Sequence, residues 1–197
     1  IAYGHGISVS LMQLVRAYTS LARTGDVIDL TLYKRPEGEL PKGEQVYRPE
    51  TVRLIRAMMM KTMAAGGTAS TIKVAGYTVA GKTGTTSDNY DRYFAGYTPY
   101  YAAAVWTGYK NNERISYSGN PALTLWRKVM SQVHEGLEYK SFPKASGLTS
   151  VTVCMDSGLL ATDACRADAR GRVQTVEVVP GTEPTESCAR HVFVSYC

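Results

Sequence analysis

A chain of 197 residues is long enough for one sizeable domain, or for a domain with a small module attached. Its 44% hydrophobic and 20% charged residues, with 18 Gly and 8 Pro, exclude a disordered, collagenous or repeat-array chain. The net charge of +5 suits an acidic polymer or a membrane surface, but no dense basic stripe accompanies it, so nucleic acid is not an expected partner. No run approaches the ~20 consecutive apolar residues of a membrane helix. Ile1-Ala2-Tyr3-Gly4-His5-Gly6 has neither an initiator Met nor a signal-peptide pattern, and the chain reads as part of something longer.

Ser10-Leu11-Met12-Gln13 has the form of a capping box, with Ser10 serving the amide of Gln13 and Gln13 reaching back. Leu11, Leu14, Val15, Tyr18, Leu21 and Ala22 follow at helical spacing until Gly25. Alternation from Val27 to Arg35 predicts a strand, and 36–42 is turn-rich. A second helix begins at Pro49, with Glu50 in its first turn and Val52, Ile55, Met59 and Met63 on one face, and stops at Gly66-Gly67. Strand-like runs at 77–85, 92–98 and 101–110 predict an antiparallel meander. Asn120-Pro121 caps a third helix, whose Leu123, Trp126, Val129, Met130 and Val133 face inward until Gly136.

This order of elements predicts an α+β domain, an antiparallel sheet with packed helices, over residues 1–141. Residues 142–197 hold all four cysteines, lack a long periodic run and read as a small, loop-rich β tail. Charge divides along the same line, with the basic excess confined to 1–141.

The most informative string is Ala80-Gly81-Lys82-Thr83-Gly84-Thr85-Thr86, on the first strand of the meander. Lys82 supplies a fixed positive charge. Thr83 and Thr85 share one face of a strand, where their hydroxyls can bind a carboxylate, and Gly84 removes a side chain that would block an extended peptide. Free backbone N–H groups on such an edge can pair with that peptide, and one can stabilise an oxyanion. The bland alternative is a polar, turn-forming strand end.

The flanks add a family resemblance. Val79-Ala80-Gly81-Lys82-Thr83-Gly84-Thr85-Thr86, then Tyr93-Phe94-Ala95-Gly96-Tyr97-Thr98-Pro99 and Val105-Trp106-Thr107-Gly108-Tyr109, closely resemble the transpeptidase domain of penicillin-binding proteins. Ile7 to Leu14, Ala17-Tyr18, Gly67-Thr68-Ala69, Pro121-Ala122 and Trp126 to Met130 are similar to successive stretches of that family, in the same order. Val153 to Thr162 and Pro180 to Glu186 are similar to the C-terminal extension of its class A, bifunctional members.

The resemblance implies an incomplete domain of the serine β-lactamase-like fold. It also implies a D,D-transpeptidase that crosslinks peptidoglycan through a serine acyl-enzyme, is acylated by β-lactam antibiotics, needs no cofactor and acts on the extracytoplasmic face of the bacterial membrane. By the same resemblance Lys82 is catalytic, Thr83, Gly84 and Thr85 bind substrate, and the backbone N–H of Thr85 belongs to the oxyanion hole. The implied partners are peptidoglycan stem peptides, β-lactams and other cell-wall synthesis proteins, with the membrane reached only through an N-terminal anchor outside this chain. Two rivals remain: a β-lactamase or D,D-carboxypeptidase of the same fold, and a non-catalytic wall-binding module.

The family's nucleophile sits in a Ser-x-x-Lys motif at a helix start, and a Ser-x-Asn motif follows, both well upstream of Lys-Thr-Gly. Ser70-Thr71-Ile72-Lys73 and Ser87-Asp88-Asn89 match these strings at the wrong places, the first in a β-branched stretch and the second after the strand, in a predicted hairpin turn. The nucleophile is therefore expected outside this chain. Tyr90 and Phe94 are expected to border the substrate groove, and His5 and His134 to be incidental. Cys154, Cys165, Cys188 and Cys197 permit one or two disulfides, with Cys154 and Cys165 the preferred pair. A metal site of Cys154, Cys165, Cys188 and His191, and reduced thiols, are the alternatives, and the expectation is no metal.

Overall fold

Ser10 and Gln13 form the expected box at the start of α1 (Leu11–Ala22): the Gln13 N–H donates to Ser10 Oγ at 3.2 Å and the Ser10 N–H to Gln13 Oε1 at 2.8 Å. The structure is a computed structural model that describes residues 6–143 and 147–193. Two compact units divide the chain, Ile1–Lys144 and Ala145–Cys197.

In the first unit α1 is followed by β1 (Asp26–Ile28), β2 (Gly43–Gln45), α2 (Pro49–Lys61), β3 (Ala80–Thr85), β4 (Asp91–Tyr97), β5 (Ala102–Gly108) and α3 (Pro121–Val133). The turn after α1 needs Gly25, whose φ is +101° and whose position a Cβ would share with the carbonyl of Tyr47. Buried Arg56 of α2 closes the same end of α1, donating to the carbonyls of Leu21 and Arg23 at 2.7 Å each. The strand expected over 27–35 is real only as β1. It pairs with β2 through Asp26↔Gln45 to Ile28↔Gly43, and among the described residues no partner strand continues the ladder beyond Ile28, leaving Leu32 and Tyr33 93% and 88% exposed. Alternation alone cannot hold a strand without a neighbour to take its hydrogen bonds.

The meander is a three-stranded antiparallel sheet in the order β3-β4-β5. Its two faces carry different clusters, because Phe94 and Tyr97 of β4 have opposite parity. Phe94 packs edge-on against Trp126 of α3, ring centroids 5.0 Å apart, and Trp126 Nε1 donates to the Ala103 carbonyl at 3.0 Å. Tyr97 lies on the other face with Tyr18 and Leu21 of α1, Met59 of α2, and Phe142, its ring centroid 5.4 Å from that of Phe142. Phe142 is thus part of this unit's core, past the expected 141/142 division. The hydroxyl of Tyr97 is sequestered: burial pushes it up to about 12, and it donates to Met59 Sδ at 3.7 Å.

His134, at the end of α3, is a satisfied core residue: Nδ1 meets the Met130 carbonyl at 2.6 Å and Nε2 meets Thr98 Oγ1 at 2.7 Å. His5 lies outside the described residues.

The second unit is built on a two-stranded antiparallel pair, β6 (Thr149–Cys154) and β7 (Val173–Val178), with a short helix α4 (Asp163–Ala167) between them. Its cluster of buried residues is Cys154, Cys165 and Cys188, with Ala161 and Val173 packed against them. Cys154 and Cys165 are not joined; all three thiols are free. Cys197 lies outside the described residues.

Candidate active-site strand

Among the described residues β3 pairs with β4 alone, and its other edge has no strand beside it. Along the ladder Lys82 opposes Ala95, Thr83 opposes Phe94, Gly84 opposes Tyr93 and Thr85 opposes Arg92. Directly opposed residues share a face. Thr83 and Thr85 therefore project from the α3 side of the sheet, and Lys82 and Gly84 from the side that carries Tyr97.

Burial falls along the strand: Ala80 and Gly81 are buried, Thr83 and Gly84 half-buried, Lys82 and Thr85 exposed. The inner end is thus anchored and the polar string opens to solvent. Thr62, just past α2, supplies one anchor, its hydroxyl donating to the Gly81 carbonyl at 2.7 Å. A Cβ on Gly81 would come within 2.6 Å of Phe94 Cζ, so the close approach of β3 to β4 requires glycine there. Gly84 has a similar, milder constraint, with Tyr93 Cβ 3.3 Å from where its own Cβ would stand.

The functional groups meet at the outer end. Lys82 curls over the strand, Nζ donating to the Thr83 carbonyl at 3.0 Å and lying 3.5 Å from Thr83 Oγ1. Thr83 Oγ1 in turn donates to Thr68 Oγ1 at 3.3 Å. An ammonium and two threonine hydroxyls, those of Thr68 and Thr83, thus meet at an open strand edge, with Thr85 two residues further along on the face of Thr83, a donor set suited to a carboxylate. Thr68 and Thr62 were not singled out from the sequence. Gly67-Thr68-Ala69 was visible as a family-like stretch, but a role for Thr68 follows only from the tertiary approach of that turn to β3.

The other expectations separate. Phe94 does not border a groove: it is 0% exposed and belongs to the core under α3, because its ring points at Trp126 of that helix. Tyr90 lies in the turn between β3 and β4, with the Arg114 guanidinium 6.0 Å over its ring. Ser70 lies in a turn, its N–H donating to the Gly67 carbonyl at 3.2 Å, and no helix begins at Ser70-Thr71-Ile72-Lys73. Ser87-Asp88-Asn89 forms the hairpin turn, with Asn89 at φ 58° and Asp88 paired to Arg114 at 2.8 Å. No hydrogen bond joins Ser70 or Lys73 to Lys82 among the described residues.

A model of the penicillin binding protein transpeptidase domain matches residues 1–131, the stretch that contains this strand and both faces of its sheet. The chain belongs to that family. Residues 144–193 match the C-terminal domain of penicillin-binding protein 1A. Penicillin-binding protein 1A of Clostridium perfringens is 39% identical over 153 residues, covering 77% of this chain and 18% of that protein. A peptidoglycan glycosyltransferase from Burkholderia ambifaria superposes with a TM-score of 0.59 at 32% identity, over 69% of this chain and 43% of the other. Penicillin-binding protein 1A from Haemophilus influenzae shares the fold with a TM-score of 0.64 at 19% identity, over 91% of this chain and 33% of that one. The penicillin-binding transpeptidase fold seen here is thus an α+β arrangement of helices on an antiparallel sheet. No helix among the described residues is long and apolar enough to cross a membrane.

Proposed function

We propose that this chain supplies the Lys-Thr-Gly strand of a peptidoglycan D,D-transpeptidase that works through a serine acyl-enzyme and binds β-lactams. The observation that carries the reading is Lys82, Thr83, Gly84 and Thr85 on the unpaired edge of β3, in a chain of this family. The first unit, with its end moved past Phe142, forms the C-terminal portion of the transpeptidase domain, and the second unit an extension.

The donor stem peptide, ending in D-Ala-D-Ala, lies antiparallel along the free edge of β3. Its terminal carboxylate is held by the hydroxyls of Thr83 and Thr85 in the field of Lys82. A serine hydroxyl, contributed from outside this chain, attacks the penultimate D-Ala carbonyl. The oxyanion takes a hydrogen bond from the Thr85 backbone N–H. The C–N bond to the terminal D-Ala breaks, and the serine proton ends on the departing amine, with Lys82 shaping the field in which it moves. An amine of a neighbouring stem then attacks the ester carbonyl, the C–O bond breaks, and a proton from the amine returns to the serine oxygen. No metal or organic cofactor is needed for either step.

The parent protein, on this reading, sits on the extracytoplasmic face of the membrane through an N-terminal anchor and works with other cell-wall synthesis proteins. The described similarity to a peptidoglycan glycosyltransferase supports a second, glycan-polymerising domain in that parent. The competing β-lactamase reading differs in the fate of the acyl group, which water would remove. Benzylpenicillin added to the complete protein is expected to leave a covalent adduct that outlasts many acylation times, read by intact mass. Rapid release of hydrolysed penicillin with catalytic turnover would replace the transpeptidase with a β-lactamase.

A further inference from the structure

The second unit presents a problem of stability. It has roughly fifty residues, and small domains of that size bury too little apolar surface to be secure without a staple. Among the described residues its buried cluster consists of three cysteines, with Ala161 and Val173 packed against them. What closes on those sulfurs is a fourth donor, His191. Cys154 Sγ lies 3.4 Å from His191 Nδ1 and Cys188 Sγ 3.6 Å from it, and the donor atoms of Cys154, Cys165, Cys188 and His191 all fall within 4.8 Å of one another. A tetrahedral zinc ion with Zn–S ~2.3 Å and Zn–N ~2.0–2.1 Å sets an S···N edge of about 3.6 Å, the separation found here.

We propose that Cys154, Cys165, Cys188 and His191 form a structural zinc site that staples the C-terminal unit.

The chain delivers the four ligands from separate elements. Cys154 ends β6, Cys165 sits in α4, and Cys188 and His191 come from a loop that the Cys188 N–H ties to the Leu160 carbonyl at 2.8 Å. Two of the sulfurs sit at turns, the one after Cys154 closed by the Gly158 N–H on the Cys154 carbonyl at 2.7 Å, and nearby backbone amides, those of Asp156 and Ser157 by Cys154 and of Arg190 and His191 by Cys188, favour the thiolate form. Such amides stabilise a metal thiolate. The imidazole is oriented for ligation as well. Its Nδ1 faces the sulfurs, while Nε2 faces Asp168 Oδ2 at 3.1 Å and Asp156 Oδ2 at 3.4 Å, the outer carboxylates that fix a ligating histidine's tautomer. Arg170 and Arg172 neutralise those carboxylates, with contacts of 2.6 Å to Asp168 and 2.8 Å to Asp156, so they serve as supports and not as a second ion site.

A disulfide between any two of these cysteines would use two of the four donors and leave the third thiol and His191 outside the link, whereas one ion uses all four. Soft sulfur ligands with one imidazole, and no open position, select zinc in a structural role. The sequence expectation of no metal, and its preferred Cys154 with Cys165 pair, gave this possibility less weight because the spacing has no tight first pair of cysteines.

The test uses the complete protein expressed without an affinity tag and purified without chelator. Metal analysis is expected to find about one zinc per chain, with the site's thiols protected from alkylation until the protein is denatured with a chelator. Cys188→Ser should lower the zinc content at least ~10-fold, while His191→Cys and Cys197→Ser should keep it at about one. Should Cys188→Ser fail to fold, cobalt(II) in the unmodified chain decides: thiolate charge-transfer bands with intense visible bands of tetrahedral cobalt are expected. Zinc-free protein with Cys154 in a disulfide, zinc lost in Cys197→Ser, or an octahedral cobalt spectrum would each overturn the proposal.

Discussion

The complete protein carrying Lys82→Ala is expected to be acylated by benzylpenicillin ~10²–10³-fold more slowly than the unaltered protein, the scale of losing one preorganised electrostatic group. Lys82 is exposed, and its Nζ hydrogen-bonds to the neighbouring Thr83, so its removal should leave thermal stability within about 0.5 kcal/mol of the starting value. The rate loss would then report chemistry and not unfolding. Ser70→Ala is expected to be acylated at the normal rate, since Ser70 lies in a turn with no hydrogen bond to Lys82. Stopped-flow or quenched mass measurements give both rates. Equal acylation by the Lys82→Ala protein would remove Lys82 from the site.

Trp126→Ala is expected to destabilise the first unit by ~3–5 kcal/mol, the range for deleting a buried aromatic side chain. Trp126 is fully buried, lies edge-on to Phe94 at 5.0 Å, and donates to the Ala103 carbonyl at 3.0 Å. Alanine leaves a cavity between α3 and the sheet and a carbonyl of β5 without its donor. Phe94 is opposite Thr83, so the loss also loosens the strand that carries the candidate site. Trp106→Ala is the control. Trp106 is 38% exposed and its hydrogen bond runs to Asp91 at the rim, so its loss should cost about 1 kcal/mol. Denaturant unfolding of both proteins checks the contrast, and similar midpoints would contradict the assigned core.

Local signals were legible in the sequence because local chemistry decides them. The Ser10 and Gln13 box, Pro49 opening α2, and Asn120 capping α3 through the Ala122 N–H all involve residues within one turn of each other. The meander was legible too, because each strand meets its neighbour across a short turn. The stretch after Ile28 misled because its alternation is real but its partner is absent, and only tertiary structure supplies partners. The helix from Pro49 stops at Lys61, short of Gly66-Gly67, where Thr62 turns its hydroxyl to Gly81 and its carbonyl to the Ala69 N–H.

Within the candidate site, Lys82, Thr83, Gly84 and Thr85 could be read from the string itself. Thr68 could not, since its contact with Thr83 spans a turn whose path no local pattern dictates. Phe94 was misplaced for a related reason: strand parity was known, but which face carried the helix was not. The Cys154, Cys165, Cys188 and His191 cluster shows the same limit. Each residue was noticed, yet their convergence depends on the β6 and β7 pair and on the loop that returns to Leu160.

The central claim is that this chain holds the Lys-Thr-Gly strand of a transpeptidase whose serine lies elsewhere. Peptide mapping of the benzylpenicillin adduct on the complete protein tests it most directly. The account predicts one modified serine, outside the 197 residues described by this sequence, whose labelling slows when Lys82 is replaced. An adduct on Ser70, or a complete protein that never acquires one, would contradict it.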